Sequence, residues 1–277
     1  MKQRFLTALA IIAVVLPTFL YGGWPFRIVV FFFIMTSLYE MYAVKKDVWP
    51  IWLYFIMIGL ILIFAGLDFD MIYLAFILLM IALFMLTISF EWFTPLDLTY
   101  IFTMIILLTT ALRSVFLTVS YGRIELVYLL VVTFLTDTGA YFTGYYFGKN
   151  KLNERISPKK TIEGSIGGWI LGALSGLVFA YFLVERLPFN SWILGALSGL
   201  VFAYFLVERL PFNMMIVSSL LLPIISQIGD LAFSSIKRHY KIKDFGTIFP
   251  AHGGVLDRID SLLFTLMAFY VLLMLWM

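Results

Sequence analysis

From Leu98 to Val119 the chain reads LTYIFTMIILLTTALRSVFLTV, an apolar run interrupted by a single charge, Arg113. Wound as an α-helix, such a run crosses the ~30 Å hydrocarbon core of a bilayer. Similar runs lie before it, near 5–21, 26–44, 50–67 and 71–90, and after it, near 124–147, 165–184, 192–207, 214–236 and 259–277. Of the 277 residues, 63% are hydrophobic and only 13% are charged, against roughly 25% in soluble domains. A soluble fold is thereby excluded, and the expected class is all-α, a polytopic transmembrane helical bundle. The absence of cysteine removes disulfides, thiolate metal sites and cysteine nucleophiles. Met1 to Arg4 and the apolar run behind them lack a small-x-small cleavage site and are followed by further spans, so they read as a first, retained helix.

Two of the runs are copies. Trp169 to Asn190 reads WILGALSGLVFAYFLVERLPFN, and Trp192 to Asn213 repeats it letter for letter after Ser191. Natural arrays diverge between copies, so this duplication is very recent or is a feature of the recorded sequence. Topology tests it, because cytoplasmic loops collect Lys and Arg. Lys2 and Arg4 place the N-terminus inside, as do Lys45 and Lys46 for the loop after the second span. The first long polar segment, 149–164, carries Lys149, Lys151, Arg155, Lys159 and Lys160; a second basic loop holds Lys237, Arg238, Lys241 and Lys243. Both loops belong on the cytoplasmic side, which requires an even number of crossings between them. One copy therefore does not cross, the shorter second run being the expected non-crosser, and about nine true spans remain. The chain divides into N-terminal transmembrane helices, 1–120, and a C-terminal catalytic region, 121–277, with cytoplasmic loops 149–164 and 237–257.

The second loop has the chemistry of a phosphate site. Lys237, Arg238, Lys243 and Arg258 offer charge-assisted donors, and Gly253-Gly254 lets backbone approach an anion. Asp257 and Asp260, one turn apart at the start of the last helix, are spaced to reach one metal. A solvated positive-inside loop with an acidic helix start is the plainer reading, and His252 alone is a weak signal. Asp230 and Asp137 lie inside apolar runs, where a carboxylate costs roughly 2.5 to 3.5 kcal/mol on insertion scales and needs a partner or a watery cavity. Thr133, Asp137, Tyr141 and Tyr145 form a polar stripe at four-residue spacing; Thr136, Ala140, Gly144 and Gly148 form a stripe of small residues beside it, suited to close helix packing. Arg113 and Glu40 lie near span ends and are assigned structural roles. Ser157-Pro158-Lys159-Lys160 reads as an N-cap followed by proline at the first helical position, with lysines whose conflict with the helix dipole a bound phosphate would resolve.

The pattern Ser234-x-Ile236-Lys237-Arg238, Lys243-Asp244-x-Gly246, then Pro250-x-His252-Gly253-Gly254-Val255-x-Asp257-Arg258-Ile259-Asp260 resembles the signature of CDP-diacylglycerol synthases, also called phosphatidate cytidylyltransferases. Asp137-Thr138-Gly139-Ala140-Tyr141 and Ile156-Ser157-Pro158-Lys159-Lys160-Thr161-x-Glu163-Gly164 are similar to the same family, so that the resemblance covers the C-terminal half. It implies the reaction of CTP with phosphatidic acid to give CDP-diacylglycerol and pyrophosphate, with Mg²⁺ required and a monovalent ion such as K⁺ as a second cation. It further implies Asp230 and Asp257 as catalytic cation ligands, Asp137 and Asp260 as supporting acids, and Ser157, Lys159, Lys160, Lys237, Arg238, Lys243, His252, Gly253, Gly254 and Arg258 at substrate phosphates. The expected partners are CTP, phosphatidic acid and the bilayer, without nucleic acid; homodimerisation stays open. Two other readings fit part of the pattern: a CTP-dependent polyprenol kinase, and a transporter with an intramembrane acidic ion site.

Overall fold

The structure, a computed structural model, describes residues 2–184, 210–249 and 253–276. Among these, nine helices follow one another: α1 (Lys2–Tyr21), α2 (Gly23–Ala43), α3 (Ile51–Gly66), α4 (Phe69–Ser89), α5 (Pro95–Tyr121), α6 (Arg123–Phe147), α7 (Ile162–Val184), α8 (Phe212–His239) and α9 (Leu256–Trp276). A two-stranded antiparallel hairpin, β1 (Lys151–Asn153) and β2 (Ser157–Thr161), separates α6 from α7. Among the described residues, seven helices are long and apolar enough to cross a membrane: α2, α5, α6, α8, α9 and the stretches Met71–Ser89 of α4 and Ile162–Tyr181 of α7. Ile11–Tyr21 and α3 are shorter apolar helices. The duplicated segment's second copy lies almost wholly outside the described residues, and with it the expectation that this copy does not cross.

These helices are apolar on their outer faces as well as their inner ones, as a lipid solvent demands. On α4, Ile77, Leu78, Ile81, Phe84, Met85 and Ile88 are all exposed. With lipid as apolar as leucine, packing has to come from close fit and from polar contacts.

The residues fall into two compact units, 1–113 with 237–259, and 114–236 with 260–277. In the first, Leu38, Met57, Ile61, Met104, Ile105 and Leu108 are fully buried. Arg113 donates from Nη1 to the carbonyls of Phe64 (3.1 Å) and Leu67 (2.5 Å), satisfying the free C-terminal end of α3. At the start of α5, Thr94 and Asp97 cap each other, and Asp97 also accepts from Lys45 and from Trp49 Nε1 (3.1 Å).

In the second unit the small-residue stripe of α6 does what its spacing predicts. A Cβ on Gly168 would lie 2.7 Å from the Thr136 carbonyl oxygen, and one on Gly164 would lie 2.8 Å from that of Ala140. The backbones of α6 and α7 approach so closely that only glycine fits at these crossings. Tyr128, Leu129, Val132, Leu222 and Phe269 fill the unit's interior, where Tyr128 Oη meets Ser219 Oγ at 2.9 Å.

The hairpin corrects one expectation. Ser157 to Thr161 are not the start of a helix; they form β2, paired with β1 so that Asn153 faces Ser157 and Lys151 faces Thr161. Pro158 biases its predecessor to extended backbone and sits without penalty in an edge strand. The cap falls four residues later than read from Ser157: Thr161 Oγ1 accepts from Gly164 N (3.1 Å), and α7 begins at Ile162. Glu163 folds back to accept from the amides of Lys149 (3.1 Å) and Asn150 (3.2 Å), closing the base of the hairpin.

Candidate functional site

The charged residues singled out in the sequence collect in two clusters, one in each unit. In the first unit, α8 ends in Lys237, Arg238 and His239, the chain turns through 240–249, and residues 253–255 lead into α9. Lys237 Nζ donates to Asp257 Oδ1 at 2.9 Å, while Asp257 Oδ2 accepts from the amides of Phe245 (2.8 Å) and Gly254 (3.0 Å). The pair is sheltered, with side chains 11% and 2% exposed, and the Lys237 ammonium also lies 5.6 Å from the centre of the Phe245 ring. Asp257 thus ties α8, the basic loop and the start of α9 together.

A second carboxylate completes this turn. Glu40, at the end of α2 and 2% exposed, accepts from the amides of Val255 and Leu256, each at 2.8 Å. Gly254 is required there, since a Cβ would come within 2.4 Å of Glu40 Oε2; Gly253 has a φ of 86° and would bring a Cβ to 3.1 Å from Asp257 Oδ2. The groups these two glycines lie against are the protein's own carboxylates, Glu40 and Asp257. Read from sequence alone, Glu40 has only a structural role at a span end. The one signal in the sequence was a carboxylate at the end of the second apolar run, and nothing there tied it to residues more than two hundred positions away.

Of the remaining cationic candidates in this unit, Arg238, Lys243 and Arg258 are exposed, and Arg238 Nη1 donates to the Ile242 carbonyl (3.4 Å). His252 lies outside the described residues. Tyr240 packs edge-on against Tyr100 with ring centres 5.2 Å apart, and burial, helped by the Asp97 carboxylate, pushes its phenol above the ordinary range.

In the second unit, Lys160 of β2 forms an ion pair with Asp230 of α8, whose Oδ1 also faces Ser234 Oγ (3.4 Å). Both side chains stay about 30% exposed (29% and 31%). Asp137 on α6 is accessible and lies within electrostatic reach of Asp230, Asp260 and Lys160. Asp260 is nearly buried and accepts from Ser261 N through Oδ1 (2.8 Å). Asp137 thus neighbours the Lys160–Asp230 pair as well as Asp260. Ser157 opens β2, and Lys159 beside it is exposed. On the polar stripe, Thr133 is buried against Thr265 (3.1 Å), and Tyr141 and Tyr145 stack with ring centres 6.3 Å apart.

The donors are all carboxylate oxygens, the hard ligands that Mg²⁺ takes. Among the described residues, however, no three acidic or imidazole side chains converge closely enough to enclose an ion. Asp230 and Asp257 are each held by a lysine ammonium, which occupies the place a cation would take.

Fold and clusters together define an integral membrane protein with two charged clusters, each built on a lysine–aspartate pair whose ammonium can turn to phosphate groups. The cytidylyltransferase family matches residues 2–276, nearly the whole length, and the chain belongs to that family. It is 38% identical over 156 residues to a phosphatidate cytidylyltransferase of Bacillus subtilis, covering 56% of this chain and 49% of that protein. Phosphatidate cytidylyltransferases of Staphylococcus haemolyticus (38% identical over 154 residues) and Staphylococcus saprophyticus (36% over 154 residues) match similarly, at 56% of this chain and 50% of theirs. The chain spans about half the length of the curated relatives it matches.

Proposed function

We propose that this protein transfers the cytidylyl group of CTP to phosphatidic acid, giving CDP-diacylglycerol and pyrophosphate. The observation that carries the reading is the pair of lysine–aspartate contacts, Lys237–Asp257 and Lys160–Asp230, of which Lys160, Lys237 and Asp257 lie within the segments that resemble the phosphatidate cytidylyltransferase signature. The relatives' names support the same substrate class.

An oxygen of the phosphatidate headgroup attacks the α-phosphorus of CTP; the bond from that phosphorus to the bridging oxygen breaks, and pyrophosphate leaves with its electron pair. The attacking oxygen is already ionised at neutral pH, so no strong general base is needed, and catalysis rests on positioning and charge neutralisation. Lys237 and Lys160, with the exposed Lys159, Arg238, Lys243 and Arg258, bind phosphate oxygens as charge-assisted donors. Ser157 and His252 are further contacts of this kind. The resemblance names Asp230 and Asp257 as Mg²⁺ ligands, with Asp137 and Asp260 in support and K⁺ as the monovalent companion; each of the two aspartates would have to release its lysine to take a cation. When bound, Mg²⁺ would neutralise charge building on the oxygens around the α-phosphorus. Asp257 keeps Lys237 oriented until substrate arrives, and Asp230 does the same for Lys160. The N-terminus and both basic loops belong on the cytoplasmic side, where CTP is available and phosphatidic acid is drawn from the inner leaflet.

Purified protein incubated with Mg²⁺, phosphatidic acid and CTP labelled at the α-phosphate is expected to move label into lipid. Label reaching lipid only from the γ-position would replace this reading with the lipid-kinase one, and no label in lipid from either position would sink both.

A further inference from the structure

Glu40 belongs to no motif of the C-terminal half, yet it accepts two backbone hydrogen bonds from the turn that carries those motifs into α9. Both of its carboxylate oxygens are used, one on Val255 N and one on Leu256 N. These two residues are 0% exposed, so without Glu40 their amides would be left buried and unsatisfied. The next donor back, Gly254 N, goes to Asp257 Oδ2, whose partner oxygen holds Lys237. Three consecutive amides are thus divided between two carboxylates, and the division sets where Asp257 points. The fit around Glu40 is tight on both sides: a Cβ on Gly246 or on Gly254 would lie 2.4 Å from one of its oxygens.

We infer that Glu40 is a positioning residue for cytidylyl transfer: by holding the amides of Val255 and Leu256 it fixes the turn that aims Asp257 and Lys237 at the CTP phosphates. The inference rests on the function proposed above. A carboxylate at these first α9 amides also keeps that helix end from competing for the nucleotide, since the same amides would otherwise attract phosphate. CTP is left to the lysines, whose reach Asp257 governs.

Glu40→Gln is the direct test, because it keeps the shape and turns one acceptor into a donor facing an amide. In lipid nanodiscs, kcat/KM for CTP is expected to fall at least tenfold, with KM for phosphatidic acid within twofold of wild type and the melting temperature little changed. Hydrogen exchange at residues 253–257 is expected to be slow in wild type and fast in the variant. Gly246→Ala, which crowds Glu40 from its other side, should reproduce the kinetic split and decides the matter if Glu40→Gln does not fold. A melting temperature that falls while the folded fraction keeps wild-type constants for both substrates would overturn the inference, as would unchanged kinetics, equal loss for CTP and lipid, or fast exchange at Val255 and Leu256 in wild type. Wild-type protein that transfers no label would defeat the proposed function instead, whereas the exchange data read the Glu40 contact without any turnover.

Discussion

Asp257 and Lys237 are partners with unequal alternatives. Removing the lysine leaves Asp257 with the amides of Phe245 and Gly254; removing the carboxylate leaves a sheltered ammonium that, among the described residues, faces the ring of Phe245. Stranding one member of a buried pair costs about 3–5 kcal/mol, and the cost falls when hydrogen bonds still serve the survivor. Asp257→Asn is therefore expected to lower the melting temperature more than Lys237→Met, and both should cut cytidylyl transfer by a hundredfold or more. Parallel melts and assays of the two purified variants check the order; a lysine variant that melts lower than the aspartate variant would contradict it. Much at this scale was legible in sequence, because a charge in an apolar run stands out against the cost of burying it. Asp137 and Asp230 announced themselves that way, and the structure sets each within reach of Lys160. Glu40 did not, since a carboxylate at a span end can reach water, and only the folded chain shows that this one takes two buried backbone amides of a turn instead.

Among the elements, the glycines of α6 and α7 differ from the glycine inside α3. At Gly168 an added methyl meets the Thr136 carbonyl oxygen and the Ala140 amide, backbone atoms that cannot swing away, whereas at Gly59 it meets nothing within 4 Å. Gly168→Ala is expected to destabilise by about 1–3 kcal/mol, as overpacking does. Gly59→Ala should stabilise by about 0.5–1 kcal/mol through helix propensity. Thermal melts in one detergent compare them, and equal shifts would show that α6 and α7 are not in backbone contact. The helices themselves could be placed from sequence because a membrane span needs a minimum apolar length, and the runs near 26–44, 71–90 and 124–147 ended close to where α2, α4 and α6 end. The hairpin escaped because strands of three and five residues carry no usable periodicity. Ser157-Pro158 matched a helix start as well as a strand start, and the real cap, Thr161, was hidden behind glycines that look like poor helix formers but are needed for packing.

For the whole molecule, the repeated segment offers a direct trial. Asn190 and Asn213 end identical stretches, so deleting Ser191 to Asn213 joins Asn190 to Met214 and leaves the sequence leading into α8 unchanged through Leu187-Pro188-Phe189-Asn190. That deletion is expected to retain label transfer from CTP to lipid, because the two basic loops need an even number of crossings between them. An inactive but well-folded deletion variant would instead make both copies part of the working protein. What sequence did not disclose is the interleaving, in which residues 237–259 pack with the first 113. That pairing depends on contacts with no periodic or compositional trace.

The Glu40 contacts join positions 215 and 216 apart in the chain. Synthesis at roughly 5–20 residues per second would separate the appearance of Glu40 from that of its partners by on the order of ten to forty seconds. Throughout that interval the acid at the end of α2 waits at the membrane without the amides it will hold. The N-terminal helices are thus made as an unfinished receptor for the end of their own chain. A chain that stopped before residue 255 would leave that seat empty, since the amides that fill it belong to Val255 and Leu256.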